Sequence, residues 1–521
     1  MKKRNVTALL LISFLILISS TAFAQQLPNI IYIMSDDHDA KAISAYDKSL
    51  TQTPNIDRIA NEGMLFTRAF VGNSICAPAR ATLLTGQHSH KNGVKDNHTR
   101  FDSSKITMPK LLQQAGYQTA IVGKWHLHSY PTGFDYWKIL PGQGLYFEPR
   151  LISMKGDTST FHGYATDVIT NEAIQWLDHR DKEKPFLLLL HHKAPHRHFF
   201  APLKYIQKFH NKHFPEPSTL YEDTTGHGTA WHLQTMSILH NMELPSELKV
   251  DPKYLMNIPW LKPDSAGIAD YYSLINRIPQ PDRNAIVETY KERGELIQKL
   301  KPKGKELLKY KYQWYMQDYI ATVASLDENV GRLLDYLDKN NLTKNTLVIY
   351  TSDQGMYLGQ NGWFDKRWMY DVSMRSPLMM RWPGYIKPKS IENTMVQNID
   401  YAPTFLDVAG VAIPDWMQGL SLMPLITGKQ KTLPRQKLYY HFYEYNDLTV
   451  LQHLGIRGER YKLIYFYPVN EWELYDLKND PHEQKNLIHF LSYQSVLNKM
   501  KKELIRQRNL YDDHEPAGEL K

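Results

Sequence analysis

NIIYIMSDDH, residues 29–38, sets an apolar run of strand length directly against a serine, two aspartates and a histidine. A short apolar run with an abrupt polar boundary reads as a strand buried on both faces of a parallel sheet. Three further runs share the form: TAIV at 119–122, FLLLL at 186–190 and LVIY at 347–350. Helical patterns lie between them. The clearest places Val323, Leu326, Val330, Leu333 and Leu337 on one helical face, and it ends before Asn340 and Asn341. Strands alternating with helices predict an α/β fold, with a large, mostly parallel, mixed sheet sandwiched by helices.

Each run is followed at once by polar residues. These are Ser35-Asp36-Asp37-His38, Gly123-Lys124-Trp125-His126, His191-His192-Lys193-Ala194-Pro195-His196 and Thr351-Ser352-Asp353-Gln354-Gly355. One such group alone is explained as a helix cap or a turn. Four together point to a shared site, because open α/β sheets bind ligands outside the carboxyl ends of their strands. Asp36, Asp37, Asp353 and the amide Gln354 offer hard oxygen ligands, which suit Ca²⁺ or Mg²⁺ better than zinc.

The remaining organisation follows from composition. Residues 1–24 read as an export signal: Lys2, Lys3 and Arg4 precede an apolar stretch and an Ala22-Phe23-Ala24 cleavage site. No cysteine follows that stretch, so a lipid-anchor signal is absent, and no later run is long enough to span a membrane. The expectation is an exported protein, periplasmic or secreted, without stable membrane insertion. Removing the leader's three basic residues lowers the net charge from +8 to +5, which tolerates an anionic substrate. No nucleic-acid motif is present. One cysteine in 521 residues allows no internal disulfide, so a large core must hold the chain together. A main domain is expected over 25–430, with an elaborated surface insertion at 205–310. The basic run Lys299 to Lys311 reads as a solvated helix face. After about 430, aromatic alternating segments predict a C-terminal subdomain (431–521) made of a small antiparallel sheet and a helix from Leu491 to Leu510.

The lone cysteine, Cys76, sits in GNSICAPARATLLTG, residues 72–86. Pro78 suits a first helical turn and Gly86 a helix stop. Arg80 then shares a helical face with Cys76. Two readings stay open from these residues: a thiol acidified by a helix N-terminus and an arginine, or a small buried apolar side chain. Neither fits soft sulfur among hard oxygen ligands.

Cys76-Ala77-Pro78-Ala79-Arg80, followed by Leu83-Leu84-Thr85-Gly86, resembles the signature of the type I sulfatases. MSDDH, VGKWHL, KAPH, SDQG, DKRWMYD and WELYDLKNDPHEQKNL extend the resemblance over nearly the whole chain. It implies an alkaline phosphatase-like fold with 25–430 as the catalytic domain. It also implies that a separate modifying enzyme oxidises Cys76 to formylglycine, an aldehyde whose hydrate offers oxygen instead of sulfur. By the same resemblance, Asp36, Asp37, Asp353, Gln354 and the residue made from Cys76 hold one Ca²⁺. Many members carry serine at Ala79 and asparagine at Gln354, and glutamine keeps the amide oxygen.

Arg80, Lys124 and Lys366 are cations able to pair with sulfate oxygens and with charge growing in the transition state. His126 and His196 are candidates for proton transfer. By family analogy, His196 protonates the leaving sugar alcohol and His126 assists release of sulfate. HHKAPHR, LYEDTTGHGTAW, WFDKRWMYD, YYHFYEY and HLGIR are similar to glucosamine-6-sulfatases. That similarity implies a sulfated glycan or monosaccharide carrying 6-O-sulfated N-acetylglucosamine, with Asp365, Arg367 and His453 hydrogen-bonding ring hydroxyls. A sulfatase for another sugar, a two-zinc phosphatase or phosphodiesterase of the same fold, and a non-catalytic glycan-binding protein are the alternatives.

Overall fold

The computed structural model describes residues 27–221, 227–445, 448–514, 517 and 520. The expected leader at 1–24 lies outside the described residues. The apolar runs form β1 (Asn29–Ser35), β3 (Gln118–Lys124), β7 (Phe186–His191) and β8 (Thr346–Ser352). With β2 (Met64–Phe66), β4 (Tyr136–Leu140), β5 (Arg150–Ser153), β6 (Thr158–Thr160), β9 (Leu378–Arg381) and β10 (Ser390–Glu392), they build one ten-stranded sheet. Its order is β10-β2-β9-β8-β1-β7-β3-β4-β5-β6. The central strands β8, β1, β7, β3 and β4 are parallel, with Ile30 opposite Leu187 and Ile31 opposite Val348. β9 runs antiparallel to β8, and β5 and β6 form an antiparallel margin.

The continuous apolar runs are explained by burial on both faces. Ile31, Ile33, Leu188, Leu190, Val348 and Tyr350 enter one core, while Ile30, Tyr32, Leu187, Leu189, Leu347 and Ile349 enter the other. This is the two-residue alternation of a strand with no solvent face. Burying each such side chain stabilises by about 1.5–3 kcal/mol.

α1 (Cys76–Thr85) ends at Gly86, whose φ of 61° is the left-handed cap glycine adopts freely. α2 (Asp282–Leu300) and α3 (Gly304–Lys339) lie on the first face, and α4 (Tyr401–Val408) lies on the second. Val323, Leu326, Val330, Leu333 and Leu337 of α3 all join the first core, as their spacing predicts. The basic run Lys299 to Lys311 is not one solvated helix face. The chain breaks at Lys301, in the left-handed region, and Lys311 is buried with its ammonium on the Leu239 and Met242 carbonyls. Segment 205–310 supplies Leu244, Leu248, Ile286, Tyr290 and Ile297 to the first core. It also ties into α3 through Arg293 and Lys249, which pair with Asp318 at 2.8 and 3.1 Å.

The C-terminal sheet is antiparallel: β11 (Leu438–Phe442), β12 (His453–Arg457), β13 (Tyr461–Phe466) and β14 (Glu471–Asp476). α5 (Gln494–Tyr511) covers it, with Leu497, Met500 and Leu504 against Leu454, Ile456 and Leu463. Among the described residues, no helix is long and apolar enough to cross a membrane.

Candidate active site

The polar residues that follow β1, β3, β7 and β8 meet at one end of the sheet, where the N-terminus of α1 arrives. Asp36 and Asp37 are wholly buried, and Asp37 turns through the left-handed region with φ 64°. The Asp37 N–H donates to Asp353 Oδ1 at 3.2 Å, and Gln354 Nε2 donates to Asp37 Oδ1 at 2.6 Å. Carboxylate oxygens of Asp36, Asp37 and Asp353 all lie within 4.8 Å of one another, as do ligand atoms of Asp36, Cys76 and His196. Gly123 allows β3 to enter this crowd: a Cβ there would lie 1.9 Å from the His191 carbonyl oxygen.

Three cations answer the three carboxylates. Lys124 donates to Asp36, Lys366 Nζ to Asp37 Oδ2 at 2.7 Å, and Arg80 Nη2 to Asp353 Oδ2 at 2.9 Å. Burial works against the Asp36 carboxylate, but the charges of Lys124, Arg80 and Lys366 outweigh it and hold the group well below the usual range. Asp353 is less well compensated: burial and the neighbouring Asp36 charge push it up to about 7, and burial likewise raises Asp37. Gln354 Oε1 is buried without a partner. Three crowded carboxylates and an orphaned amide oxygen fit a hard divalent cation, and the donor chemistry favours calcium or magnesium over zinc.

Cys76 is fully buried in this cluster. Its Sγ lies 3.4 Å from Asp36 Oδ1 and 3.5 Å from Gln354 Nε2. The structure does not acidify it. Burial and Asp36 push the thiol far above its ordinary range. Arg80 shares its face, as expected, but spends its guanidinium on Asp353 and on the Lys124 carbonyl at 2.7 Å. An unmodified Cys76 is therefore a neutral thiol, unsuited to nucleophilic attack.

The two histidines flank the cluster. His196 Nδ1 contacts the Arg197 carbonyl at 2.7 Å, and Nε2 lies 3.6 Å from Asp37 Oδ2. His126 sits in the left-handed region, φ 57°, and its buried Nδ1 has no partner. Burial, then Lys124, holds both rings well below the usual imidazole value, so both are neutral in the free protein. Residues not singled out from sequence complete the surroundings. Gln143 Oε1 accepts from Lys124 at 2.5 Å, and Asn97 Oδ1 accepts the Ala77 N–H at 3.1 Å. Lys193 lies over the Tyr146 ring, and burial lowers its ammonium to about 7. Lys193 is the first residue of KAPH and was visible there; Gln143 and Asn97 carried no signal of their own.

Comparison with known proteins decides the class. The sulfatase family model matches residues 28–411. The chain belongs to the sulfatase family. A second model, the C-terminal region of N-sulphoglucosamine sulphohydrolase, matches residues 359–510. The sulfatase is 45% identical over 496 residues to an N-acetylglucosamine-6-O-sulfatase of Bacteroides thetaiotaomicron, covering 94% of this chain and 88% of that one. It is 27% identical to the N-acetylglucosamine-6-sulfatase of Capra hircus, covering 79% and 66% respectively. A solved structure of BT4656 in complex with its substrate D-glucosamine-2-N,6-O-disulfate superposes with TM-score 0.90 at 44% identity, covering 94% of this chain and 99% of that one. This chain is accordingly a sulfuric ester hydrolase.

The three residues expected to bind the sugar, Asp365, Arg367 and His453, are all buried, His453 on the C-terminal sheet. His453 is wholly buried. Its Nε2 accepts the Met369 N–H at 3.0 Å, its Nδ1 contacts the Leu451 carbonyl at 2.7 Å, and the ring lies among Trp368, Tyr440 and Phe466. With both nitrogens occupied, it has nothing left for a sugar hydroxyl. Asp365 and Arg367 are also buried and pair with each other, and Arg197 Nη1 lies 3.5 Å from Asp365. They sit on either side of Lys366, as chain neighbours must, in a loop gripped by the C-terminal sheet. Tyr440 donates to the Arg367 carbonyl at 2.6 Å, and Lys462 donates to the Met369 carbonyl at 2.7 Å.

Proposed function

We propose that this sulfatase removes the 6-O-sulfate of N-acetylglucosamine, or a related glucosamine, from a sulfated glycan. The reading includes conversion of Cys76 to formylglycine by a separate modifying enzyme. It also includes one calcium ion held by Asp36, Asp37, Asp353, Gln354 and residue 76. The 45% identical relative supports the choice of sugar. The observation that carries the chemistry is the position of Cys76, a neutral thiol 3.4 Å from Asp36 inside a cage of hard oxygen donors. Oxygen at this position matches the cage, and sulfur does not. The leader read at residues 1–24 accords with export to the periplasm or beyond.

Calcium supplies positive charge that polarises the sulfate oxygens. Formylglycine, as its hydrate, supplies the oxygen nucleophile. The chain's own residues do the rest. Lys124 and Lys366 offer preorganised ammonium groups to the sulfate oxygens and to the charge that grows as the ester bond breaks. Arg80 holds Asp353 and the Lys124 carbonyl, which keeps the end of β3 in register with the cluster. With Nδ1 on the Arg197 carbonyl, His196 presents Nε2 to the site. The negative charge of an arriving sulfate raises that nitrogen's proton affinity, so His196 carries a proton to the departing alcohol. His126 takes up the proton whose removal releases sulfate.

Sulfate release from N-acetylglucosamine 6-sulfate, compared with a 2-O-sulfated uronic acid and a 4-O-sulfated galactosamine, tests the reading. The 6-sulfate is expected to be turned over well ahead of the others. Equal or faster release from either competitor, with the 6-sulfate inert, would overturn the sugar assignment.

A further inference from the structure

Tyr440, in the YYHFYEY segment, is wholly buried on β11, and its hydroxyl lies between two loops that carry reacting groups. It accepts the Ser74 N–H at 3.2 Å, two residues before Cys76, and donates to the Arg367 carbonyl at 2.6 Å, one residue after Lys366. Burial raises the phenol, so the proton it donates stays in place. The ring is fixed in turn. It stacks on His453 at 5.6 Å, and His453 Nε2 accepts the Met369 N–H at 3.0 Å, from the same loop as Lys366. The next residue of β11 holds the other loop, with the His441 N–H on the Gly72 carbonyl at 3.0 Å. The Lys366 loop needs such holding. Asp365 and Arg367, on either side of Lys366, stand in the left-handed region with φ 75° and 88°. That conformation is costly for residues with a Cβ, and it persists only where the surroundings over-determine it.

We propose that Tyr440 is a positioning residue for sulfate-ester cleavage: its hydroxyl sets the place of the Lys366 ammonium relative to residue 76. The proposal rests on the roles given above to those two groups. Residue 76 stands at the first turn of α1, whereas Lys366 arrives on a loop far along the chain and meets Asp37 at 2.7 Å. Attack on sulfur and stabilisation of the growing charge must converge on one sulfate group. The spacing of the two loops therefore matters more to the transition state than to sulfate binding. The partners of the hydroxyl are backbone groups, so it acts on the loops and not on the substrate. With phenylalanine at 440, the buried Ser74 N–H and Arg367 carbonyl each lose a partner, and Arg367 is released from a backbone conformation it holds at a cost. Lys366 then loses its set position, while its charge remains to attract sulfate. The C-terminal sheet thereby takes part in aligning the reacting groups.

The test is the kinetics of Tyr440→Phe, which deletes one oxygen atom. The substrate is whichever of the three sulfated sugars compared above the parent turns over fastest, so a wrong sugar and a wrong role for Tyr440 give different results. Tyr439→Phe is the control. Its hydroxyl lies on the same strand but on the opposite face, where it donates to Asp513 at 2.8 Å. Formylglycine and metal content are measured on every sample, with thermal melts alongside. Tyr440→Phe is expected to lower kcat by about ten- to hundredfold, with KM within about threefold of the parent and both contents unchanged. Tyr439→Phe is expected to lower the melting temperature comparably and to keep the parent kcat. A parent kcat in Tyr440→Phe, or a raised KM with kcat unchanged, would overturn the proposal. So would a loss that only follows the formylglycine content or the folded fraction. Failure of Tyr440→Phe to fold where Tyr439→Phe folds would make the hydroxyl a prop for the fold, and would overturn it as well.

Discussion

Replacing Lys462 with methionine tests how the C-terminal sheet serves the site. Lys462 is wholly buried, with Nζ 2.6 Å from Asp371, 2.7 Å from Glu483 and 2.7 Å from the Met369 carbonyl, three residues beyond Lys366. Removing one partner of a buried ion pair costs about 3–5 kcal/mol. Two features reduce that here. Asp371 keeps Arg457 at 2.7 Å, and burial already raises Glu483 from 4.5 to about 7, so it takes up a proton instead of remaining as a bare charge. A loss of about 2–3 kcal/mol is expected at pH 7. A carboxyl raised on folding favours the native state at low pH and loses that contribution as pH rises through its folded value. Below pH 7, Glu483 is protonated in parent and variant alike and adds no difference. Above pH 7, the parent ionises it beside Lys462, whereas the variant must keep the proton. The gap therefore widens by about 1.4 kcal/mol per pH unit. Urea unfolding at pH 6.5, 7 and 8 measures this, with kcat/KM and calcium content on the same samples. The expected result is a pH-steepening loss of stability and a lowered kcat/KM with calcium retained. A loss below 1 kcal/mol that is flat with pH would refute the reasoning.

Cys76→Ala should abolish sulfate release while moving the melting temperature by only a few degrees, since the thiol's contacts are weak ones at 3.4 and 3.5 Å. Retained turnover at the parent rate would contradict the proposed role. Asp353→Ala should lose both metal and activity, because it removes a metal ligand and takes from Arg80 its nearer carboxylate, leaving only Asp36 at 3.6 Å; elemental analysis showing stoichiometric zinc in the parent would contradict the calcium assignment. Asp365→Ala should destabilise the loop by about 3 kcal/mol, because Arg367 and Arg197 lose a buried partner. An unfolding midpoint equal to the parent's would show that the pairing is idle.

The central strands were legible because burial on both faces leaves unbroken apolar runs, and the polar residues after them marked the site. Asp36, Asp37, Asp353 and Gln354 meet as the strand ends imply, and Cys76 joins them as the family resemblance implies. Properties set by partners distant in the chain were not legible. The Cys76 thiol is raised, not lowered, because Asp36 and burial prevail over a helix terminus whose arginine turns elsewhere. His453 looked like a pocket histidine only because nothing local announces that Met369 and Leu451 occupy its nitrogens. Lys311 joined a basic run on paper and lies buried because segment 205–310 folds its carbonyls over it.

The state of residue 76 decides the chemistry most directly. Mass spectrometry of the peptide spanning residues 72–86, from active protein, reads it without interpretation of kinetics. The prediction is a peptide that has lost sulfur and gained an aldehyde oxygen, reactive toward hydrazides and inert toward thiol alkylation. Fully active protein whose residue 76 is entirely an alkylatable cysteine thiol would contradict it.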